Sequence, residues 1–233
     1  MSWFTIDSII YSDVKIVQPI NGFRFSIDSP LLYQFVRKKA GIKNILDIGS
    51  GSGILSVLLL KKFSKAQIDA VEIDNLMFEC LCKTVEINSL SDSVMPYHGD
   101  IFKFKPSKKY DLVVCNPPYR KIGTGRLCKE DRENIARFNE SMNIEDLMDY
   151  VSKVLKNRGL FYLSYDADML VDIISFGREK RLEPKRIRFL HSSLEKQARL
   201  AFVEFILGGG AELRIEPPLI QKSEEFENLL KSK

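Results

Sequence analysis

The chain has 233 residues, of which 45% are hydrophobic and 28% are charged, as in an ordinary globular protein with one large domain. Its longest apolar run, residues 54–60, is far too short to span a bilayer, and its first residues lack the basic and apolar regions of a signal peptide. The net charge of +4 permits a nucleic-acid partner without requiring one.

Four cysteines and two histidines bear on the redox compartment and on metals. Cys80 and Cys82 are spaced C-x-C within a helical pattern, and His98 and His191 are distant from each other in sequence. Because this is not the spacing of metal ligands, we expect no metal site. Cysteines in a chain without an export signal predict reduced thiols and a cytoplasmic location.

The first 40 residues are expected to form an N-terminal extension of short strands and a helix, ahead of a main domain at residues 41–233. A hairpin is predicted from residues 9–11 and 14–17, and alternating side chains predict a strand at residues 23–27. The run Asp28-Ser29-Pro30 is typical of a helix start, with Asp28 as the candidate N-cap. The apolar spacing that follows predicts a helix to about residue 39.

Strand and helix patterns then alternate along the chain. Strands are predicted at residues 44–48, 67–72, 93–97, 111–115 and 159–164, with helices at residues 54–63, 75–88 and 144–155. In the last third, strands are predicted at residues 187–190 and 200–206, and helices at residues 167–176 and 224–230. The alternation predicts an α/β fold with a seven-stranded, mostly parallel sheet and helices on both faces.

A glycine-rich turn follows the first of these strands, with the sequence D-I-G-S-G-S-G at residues 47–53. Glycines there let backbone N–H groups approach a ligand at the positive end of a helix. A dinucleotide fingerprint would require glycine at position 54, where Ile54 stands. The candidate ligand-binding residues of this turn are Asp47, Gly49, Ser50, Gly51 and Gly53.

The next two strands end on further candidates. Glu72 ends the second strand, where a carboxylate can bind both hydroxyls of a ribose, and Ile73 follows it. Asp100 and Ile101 follow the third strand. Each carboxylate alone is readily explained as a helix cap or turn former. Suitable residues at three successive strand ends nevertheless indicate one binding site.

The fourth strand stops at Asn116-Pro117-Pro118-Tyr119, because consecutive prolines cannot donate to a β ladder. In open α/β sheets, ligands bind at the carboxyl ends of strands. The Asn116 side-chain oxygen and the Pro117 carbonyl could accept both hydrogens of a planar –NH2 group, on which Tyr119 would stack. The simpler interpretation is a proline-rich turn with an exposed tyrosine.

The turn at residues 47–53 resembles motif I of class I S-adenosylmethionine (SAM) methyltransferases, and N-P-P-Y resembles the motif of enzymes that methylate planar amines. The resemblance implies SAM as cofactor, with its amino-acid part on the glycine turn. The Asp100 carboxylate would hold the edge of the cofactor's adenine, and Ile101 would cover its face. The stretches at residues 21–32, 116–126, 182–186 and 216–220 look like the bacterial tRNA1(Val) (adenine-37) N6-methyltransferase family. That resemblance implies methylation of a tRNA adenine beside the anticodon. One departure is A-R-F-N-E at residues 136–140, where the family has A-R-H-E.

Basic residues follow the tetrad directly, and we expect them to bind RNA phosphates around the pocket: Arg120, Lys121, Arg126, Lys129, Arg132 and Arg137. A second basic cluster, at residues 178–188, is equally consistent with a solvated surface or an RNA contact. The same motifs also fit methylation of a glutamine amide in a protein such as a release factor, or a SAM- or RNA-binding module without catalysis. The sequence leaves the oligomeric state open.

Overall fold

A computed structural model of the chain describes residues 3–8, 14–20, 27–117 and 143–231. Near the N-terminus, strands β1 (Phe4–Ser8) and β2 (Lys15–Pro19) form an antiparallel hairpin. The predicted second arm is therefore confirmed, whereas the first arm found lies at residues 4–8, where an Asp7–Gln18 hydrogen bond crosses the hairpin. Residues 9–11 lie outside the described residues, as does the strand predicted at residues 23–27 except for Ile27, which is in a turn.

Seven strands build the main sheet: β3 (Asn44–Ile48), β4 (Gln67–Glu72), β5 (Val94–His98), β6 (Tyr110–Cys115), β7 (Leu155–Asp166), β8 (Leu182–His191) and β9 (Ala198–Leu207). Their order is β5-β4-β3-β6-β7-β9-β8, and of these seven strands β9 alone runs in the opposite direction to the others. The short strands β10 (Arg214–Ile215) and β11 (Leu219–Ile220) pair in parallel with β8. The predicted sheet is confirmed, with two short strands added at one edge.

The helices are α1 (Asp28–Phe35), α2 (Ile54–Lys62), α3 (Asn75–Ile87), α4 (Ile144–Val154), α5 (Leu170–Glu179), which follows a 3-10 turn at Ala167–Met169, and α6 (Glu224–Lys231). The first of them ends earlier than predicted. Val36 is already extended, and the Lys62 ammonium donates to the carbonyls of Tyr33 and Val36. This distant lysine satisfies carbonyls at the helix end. Among the described residues, no helix is long and apolar enough to cross a membrane.

Two apolar layers cover the faces of the sheet. Alternate residues of β3 point to opposite sides, so that Ile45 belongs to one buried cluster and Leu46 to the other. The first cluster includes residues of α1, α2, α3 and α6, and the second includes residues of α4 and α5. Helices thus pack on both faces, as predicted. The division into an extension at residues 1–40 and a main domain at residues 41–233 stays a prediction.

Candidate active site

The glycine turn between β3 and α2 adopts a conformation that favours glycine. Its three glycines have φ angles of 66°, 55° and 84°, at Gly49, Gly51 and Gly53 respectively. A Cβ on Gly53 would come within 2.6 Å of Leu81 Cδ1. The amides of Gly49 and Ser50 both donate to the Val71 carbonyl, at 3.0 and 3.1 Å. The turn is therefore bound to β4 and packed close to α3.

Glu72 joins this turn to the start of α3. Its buried carboxylate accepts hydrogen bonds from the Gly51 amide at 2.7 Å and from the Asp74 amide at 2.8 Å. Burial raises the pKa of Glu72, although the bonds from Asp74 and Gly51 oppose this effect. A carboxylate has about four acceptor positions, so these two bonds leave capacity for the predicted ribose hydroxyls.

Asp47 lies buried at the end of β3. Its Oδ2 accepts a hydrogen bond of 2.6 Å from Ser56 Oγ, which ties β3 to the first turn of α2. Burial raises the pKa of Asp47 to about 7, the Ser56 bond opposes this shift, and the charge of Glu72 adds to it. Asp47 and Glu72 thus form a pair of buried carboxyl groups beside the glycine turn.

Two serine hydroxyls in the same turn provide a test of whether the turn fits a cofactor. The Oγ atoms of Ser50 and Ser52 are buried and lack a hydrogen-bond partner within the described part of the chain. Burying a hydroxyl without a partner costs about 1–3 kcal/mol, so such groups usually await a ligand or a water. Unpaired hydroxyls at the N-terminus of α2, beside two carboxyl groups, fit a polar zwitterion such as the amino-acid part of SAM. Its carboxylate suits the helix N-terminus, and its ammonium suits the neighbouring carboxyl groups.

The two candidates that follow β5, Asp100 and Ile101, differ in their surroundings. The Asp100 carboxylate accepts a hydrogen bond of 2.9 Å from the Phe102 amide, so this residue does form a turn. Ile101 is buried in the core cluster that contains α4, whereas Ile73 after β4 has 43% of its surface exposed. Of the two apolar candidates, Ile73 is therefore the one at the surface of the site.

Asn116 lies where three elements meet. Its Nδ2 donates to Ser29 Oγ at 2.7 Å, and its Oδ1 accepts a hydrogen bond from Ser164 Oγ. Ser29 is in the first turn of α1, and Ser164 is near the end of β7. Pro117 follows as a buried residue. The side-chain amide on which the predicted chemistry depends is thus bonded to two elements besides its own.

Asp28 does not cap α1 as the sequence predicted. The N-cap residue is Ile27, which makes no side-chain capping bond, and Asp28 is in the first turn. Its buried carboxylate instead binds the Arg199 guanidinium at 2.5 Å. The prediction was wrong because a charge from the distant strand β9 binds the carboxylate. The consequence is that the start of α1 is bonded to the sheet.

The structure brings together part of the predicted site. Because β3, β4, β5 and β6 are parallel, their carboxyl ends lie at one edge of the sheet, which places the glycine turn, Glu72, Asp100 and Asn116 at that edge. The remaining predicted residues lie outside the described residues, and their roles stay predictions: Pro118, Tyr119, Arg120, Lys121, Arg126, Lys129, Arg132 and Arg137. Within residues 3–8, 14–20, 27–117 and 143–231, no cluster of three or more His, Cys, Asp or Glu residues could hold a metal ion.

Sequence reasoning missed Ser29, Ser164 and Arg199. Ser29 belongs to the stretch at residues 21–32 that carries the family resemblance, which is the signal that could have indicated it. Ser164 is a polar residue at the carboxyl end of a buried strand, a position that favours binding sites. Arg199 gave no signal, because its partner is 171 residues away.

Comparisons of the sequence with known proteins find methyltransferases. The family model of the methyltransferase small domain matches residues 24–129. The tRNA1(Val) (adenine(37)-N6)-methyltransferase of Flavobacterium psychrophilum is 29% identical over 197 residues, which are 82% of this chain and 83% of that protein. The enzyme of the same name from Pedobacter heparinus is 28% identical, over 80% of this chain and 78% of that protein.

Solved structures share the fold. The crystal structure of a predicted O-methyltransferase from Agrobacterium tumefaciens has a TM-score of 0.65 and 19% identity, covering 87% of this chain and 94% of that one. The structure of TYW2 from M. jannaschii in complex with AdoMet has a TM-score of 0.61 and 14% identity, covering 88% of this chain and 86% of that one. The chain therefore has the fold of the class I SAM-dependent methyltransferases. In sequence it is similar to bacterial tRNA1(Val) (adenine(37)-N6)-methyltransferases over about four fifths of its length, which is the resemblance that its flanking stretches indicated.

Proposed function

We propose that the chain methylates the exocyclic N6 of an adenine in tRNA, and that this base is adenine 37 in the anticodon loop of tRNA1(Val). One observation carries the proposal: the Asn116 side-chain amide is fixed at the same sheet edge as the glycine turn. The specific substrate follows from relatives of that name that match about four fifths of the chain.

The residues of the glycine turn and the neighbouring carboxylates would bind the cofactor. SAM supplies a methyl group made electrophilic by its sulfonium charge. The hydroxyls of Ser50 and Ser52 would bind the polar amino-acid part. Glu72 would bind the ribose. A cationic ligand beside Asp47 would favour the ionised form of this residue, whose pKa burial raises to about 7. Asp100 and the apolar Ile73 and Ile101 complete the set at the next strand ends.

The N-P-P-Y tetrad would activate the amine. The lone pair of an adenine N6 is delocalised into the ring, so the amine is a poor nucleophile. Acceptance of its two hydrogens by Asn116 Oδ1 and the Pro117 carbonyl favours a pyramidal nitrogen, and Tyr119 would stack on the unstacked base. No strong base is needed, because the amine becomes more acidic as its new bond to carbon forms. Positioning and electrostatics supply most of the acceleration.

The basic residues between positions 120 and 137 would bind the phosphates on either side of the target adenine. Phosphate contacts of this kind fix the register of a nucleic acid on a protein, while the pocket selects the base. An enzyme acting on tRNA meets its substrate in the cytoplasm, so the location expected from the cysteines is part of this proposal. The division at residue 40 is part of it as well, with the catalytic machinery in residues 41–233.

A methyl-transfer assay tests the proposal. Purified protein is incubated with SAM carrying a tritiated methyl group, with tRNA1(Val) transcript in one reaction and a release factor in another. We expect label in the RNA alone, and we expect Asn116→Ala to abolish transfer without weakening SAM binding. Label in the release factor alone would identify a glutamine-amide methyltransferase. Binding of SAM without any transfer would identify a module that is not catalytic.

A further inference from the structure

Asn116 is held between two serines that come from elements far away in sequence. Ser29 in α1 precedes it by 87 residues, and Ser164 in β7 follows it by 48. Both serines are buried, with 6% and 0% of their surface exposed. Water therefore competes little for these two hydrogen bonds, and the amide they hold is the group on which the proposed chemistry depends.

We propose that Ser29 and Ser164 are positioning residues, which set the orientation of the Asn116 amide for methyl transfer. The proposal rests on the proposed function, because it concerns the same amine-binding group. The terminal torsion of an asparagine side chain has a broad, roughly two-fold preference, so its oxygen and nitrogen readily exchange places. In the wrong orientation, Nδ2 would face the amine, and two sets of N–H donors would oppose each other.

The observed orientation is the one that the amine requires. Nδ2 is directed to Ser29 Oγ, and the carbonyl oxygen Oδ1 accepts from Ser164 Oγ. An amide oxygen has two acceptor positions, so the bond from Ser164 is compatible with acceptance of a hydrogen from the target amine. Since the two serines hold the two ends of one planar group, together they restrain both its plane and its direction.

The two serines are parts of one rigid frame. Ser164 pairs with Phe202 in the antiparallel ladder between β7 and β9, and the same ladder continues to Leu200. The preceding residue, Arg199, binds the Asp28 carboxylate, which is adjacent to Ser29. The ion pair and the ladder thus fix the distance between the serines, and Asn116 lies between them.

The test compares serine variants by steady-state kinetics on tRNA1(Val) transcript. Ser29→Ala and Ser164→Ala should each lower kcat about 10- to 100-fold, because a small misplacement of a reacting group has effects of that size. The KM for tRNA and the dissociation constant for SAM should remain close to those of the wild type. The loss of one buried hydrogen bond lowers the Tm, which should nevertheless stay well above the assay temperature. Ser29→Thr keeps the hydroxyl and should recover most of the kcat.

A matched control is Ser152→Ala. Ser152 Oγ donates to the Asp149 carbonyl within α4, so this variant removes a comparable hydrogen bond outside the site and should keep the wild-type kcat. If both alanine variants at positions 29 and 164 keep kcat within about twofold, the positioning role is wrong. A fall in kcat would also overturn it if SAM affinity fell by the same factor, or if the Tm fell so far that the variant was partly unfolded at the assay temperature. Either pattern indicates a structural role.

The wild-type reaction separates this inference from the proposed function. If the wild type methylates a release factor and no tRNA, the proposed function fails, and the serine variants are then compared on the release factor, whose amide needs the same acceptor. A fall in kcat there sustains the positioning role, and an unchanged kcat removes it. If the wild type methylates neither substrate, both the function and the positioning role are overturned.

Discussion

Asp47 is a residue of the site whose protonation is altered by folding. Burial raises its pKa from 3.8 to about 7, so between these values the folded protein holds a proton that the unfolded chain has released. Stability linked to this residue is therefore greatest at low pH and falls as the pH rises from about 4 to 7. The glycine turn thus has a cost in stability at neutral pH, which a cationic ligand would offset.

Substitution of Asp47 tests this linkage. Asp47→Asn removes the titrating group and can still accept the Ser56 hydrogen bond. Relative to this variant, the wild type should lose about 2 kcal/mol of unfolding free energy between pH 5 and pH 8. Urea unfolding at both pH values measures the difference. If the difference in unfolding free energy between the two proteins is the same at pH 5 and at pH 8, Asp47 is ionised over this whole range.

Glu72 makes a second prediction at the same turn. Glu72→Gln replaces one acceptor oxygen by an NH2 group. Since each carboxylate oxygen accepts from one backbone amide, Gly51 or Asp74, the glutamine can satisfy only one of the two. We expect the dissociation constant for SAM to rise at least about tenfold by titration calorimetry, since removal of one charge-assisted hydrogen bond has this effect. The control is Glu79→Gln on the exposed face of α3, for which unchanged affinity is expected. If Glu72→Gln binds SAM as tightly as Glu79→Gln does, Glu72 does not contribute to SAM binding.

The element α1 depends on a buried ion cluster at its C-terminal end. Glu204 of β9 is fully buried and binds Arg186 of β8 at 2.9 Å, as well as Arg37 just after α1. Arg186 is only 8% exposed, and its guanidinium lies 3.9 Å from the centre of the Phe35 ring. The cluster therefore joins α1 to the antiparallel part of the sheet.

Removal of Glu204 should be far more destabilising than removal of a surface partner. Glu204→Ala breaks the buried ion pair and leaves Arg186 with the partly exposed Glu216 as its remaining partner, which costs about 3–5 kcal/mol. Glu183→Ala removes the partner of the exposed Arg178 and should cost less than about 1 kcal/mol. Chemical unfolding of both variants measures the contrast. Similar values for the two would mean that the cluster does not stabilise the fold.

Many members of the second basic cluster are paired within the protein. Besides Arg186, Arg188 binds Glu225, Lys180 lies 3.5 Å from Asp149, and Lys185 donates to two backbone carbonyls. Most of this cluster is therefore engaged within the protein. A basic run in sequence does not reveal this, because the partners lie on other elements.

The parallel part of the sheet could be predicted from the sequence, and the contacts between distant elements could not. Strands β3, β4 and β6 are runs of buried apolar residues ended by glycine, acidic residues or proline, so their bounds were predicted to the residue or nearly so. The end of α1 was misplaced because Lys62 binds its last carbonyls. The two serines that bind Asn116 were missed because each comes from a distant part of the chain.

At the scale of the whole molecule, salt dependence tests which charges bind the substrate. Replacing Arg120, Lys121 and Arg126 by serine should weaken tRNA binding and reduce the slope of log affinity against log salt, by about 0.7–0.9 for each phosphate that the variant no longer binds. Exposed lysines of α2 and the turn after it provide the control, with Lys61→Ser and Lys65→Ser leaving the slope unchanged. An unchanged slope in the first variant would place the RNA-binding surface elsewhere.

The central claim is that this chain methylates N6 of one adenine beside the anticodon. It is tested by mass spectrometry of ribonuclease fragments, after purified protein and SAM have acted on a panel of unmodified tRNA transcripts. We expect one added methyl group, recovered as N6-methyladenosine, in the anticodon-loop fragment of tRNA1(Val). A methyl group elsewhere in the RNA, or an unmodified panel alongside a methylated release factor, would contradict the claim.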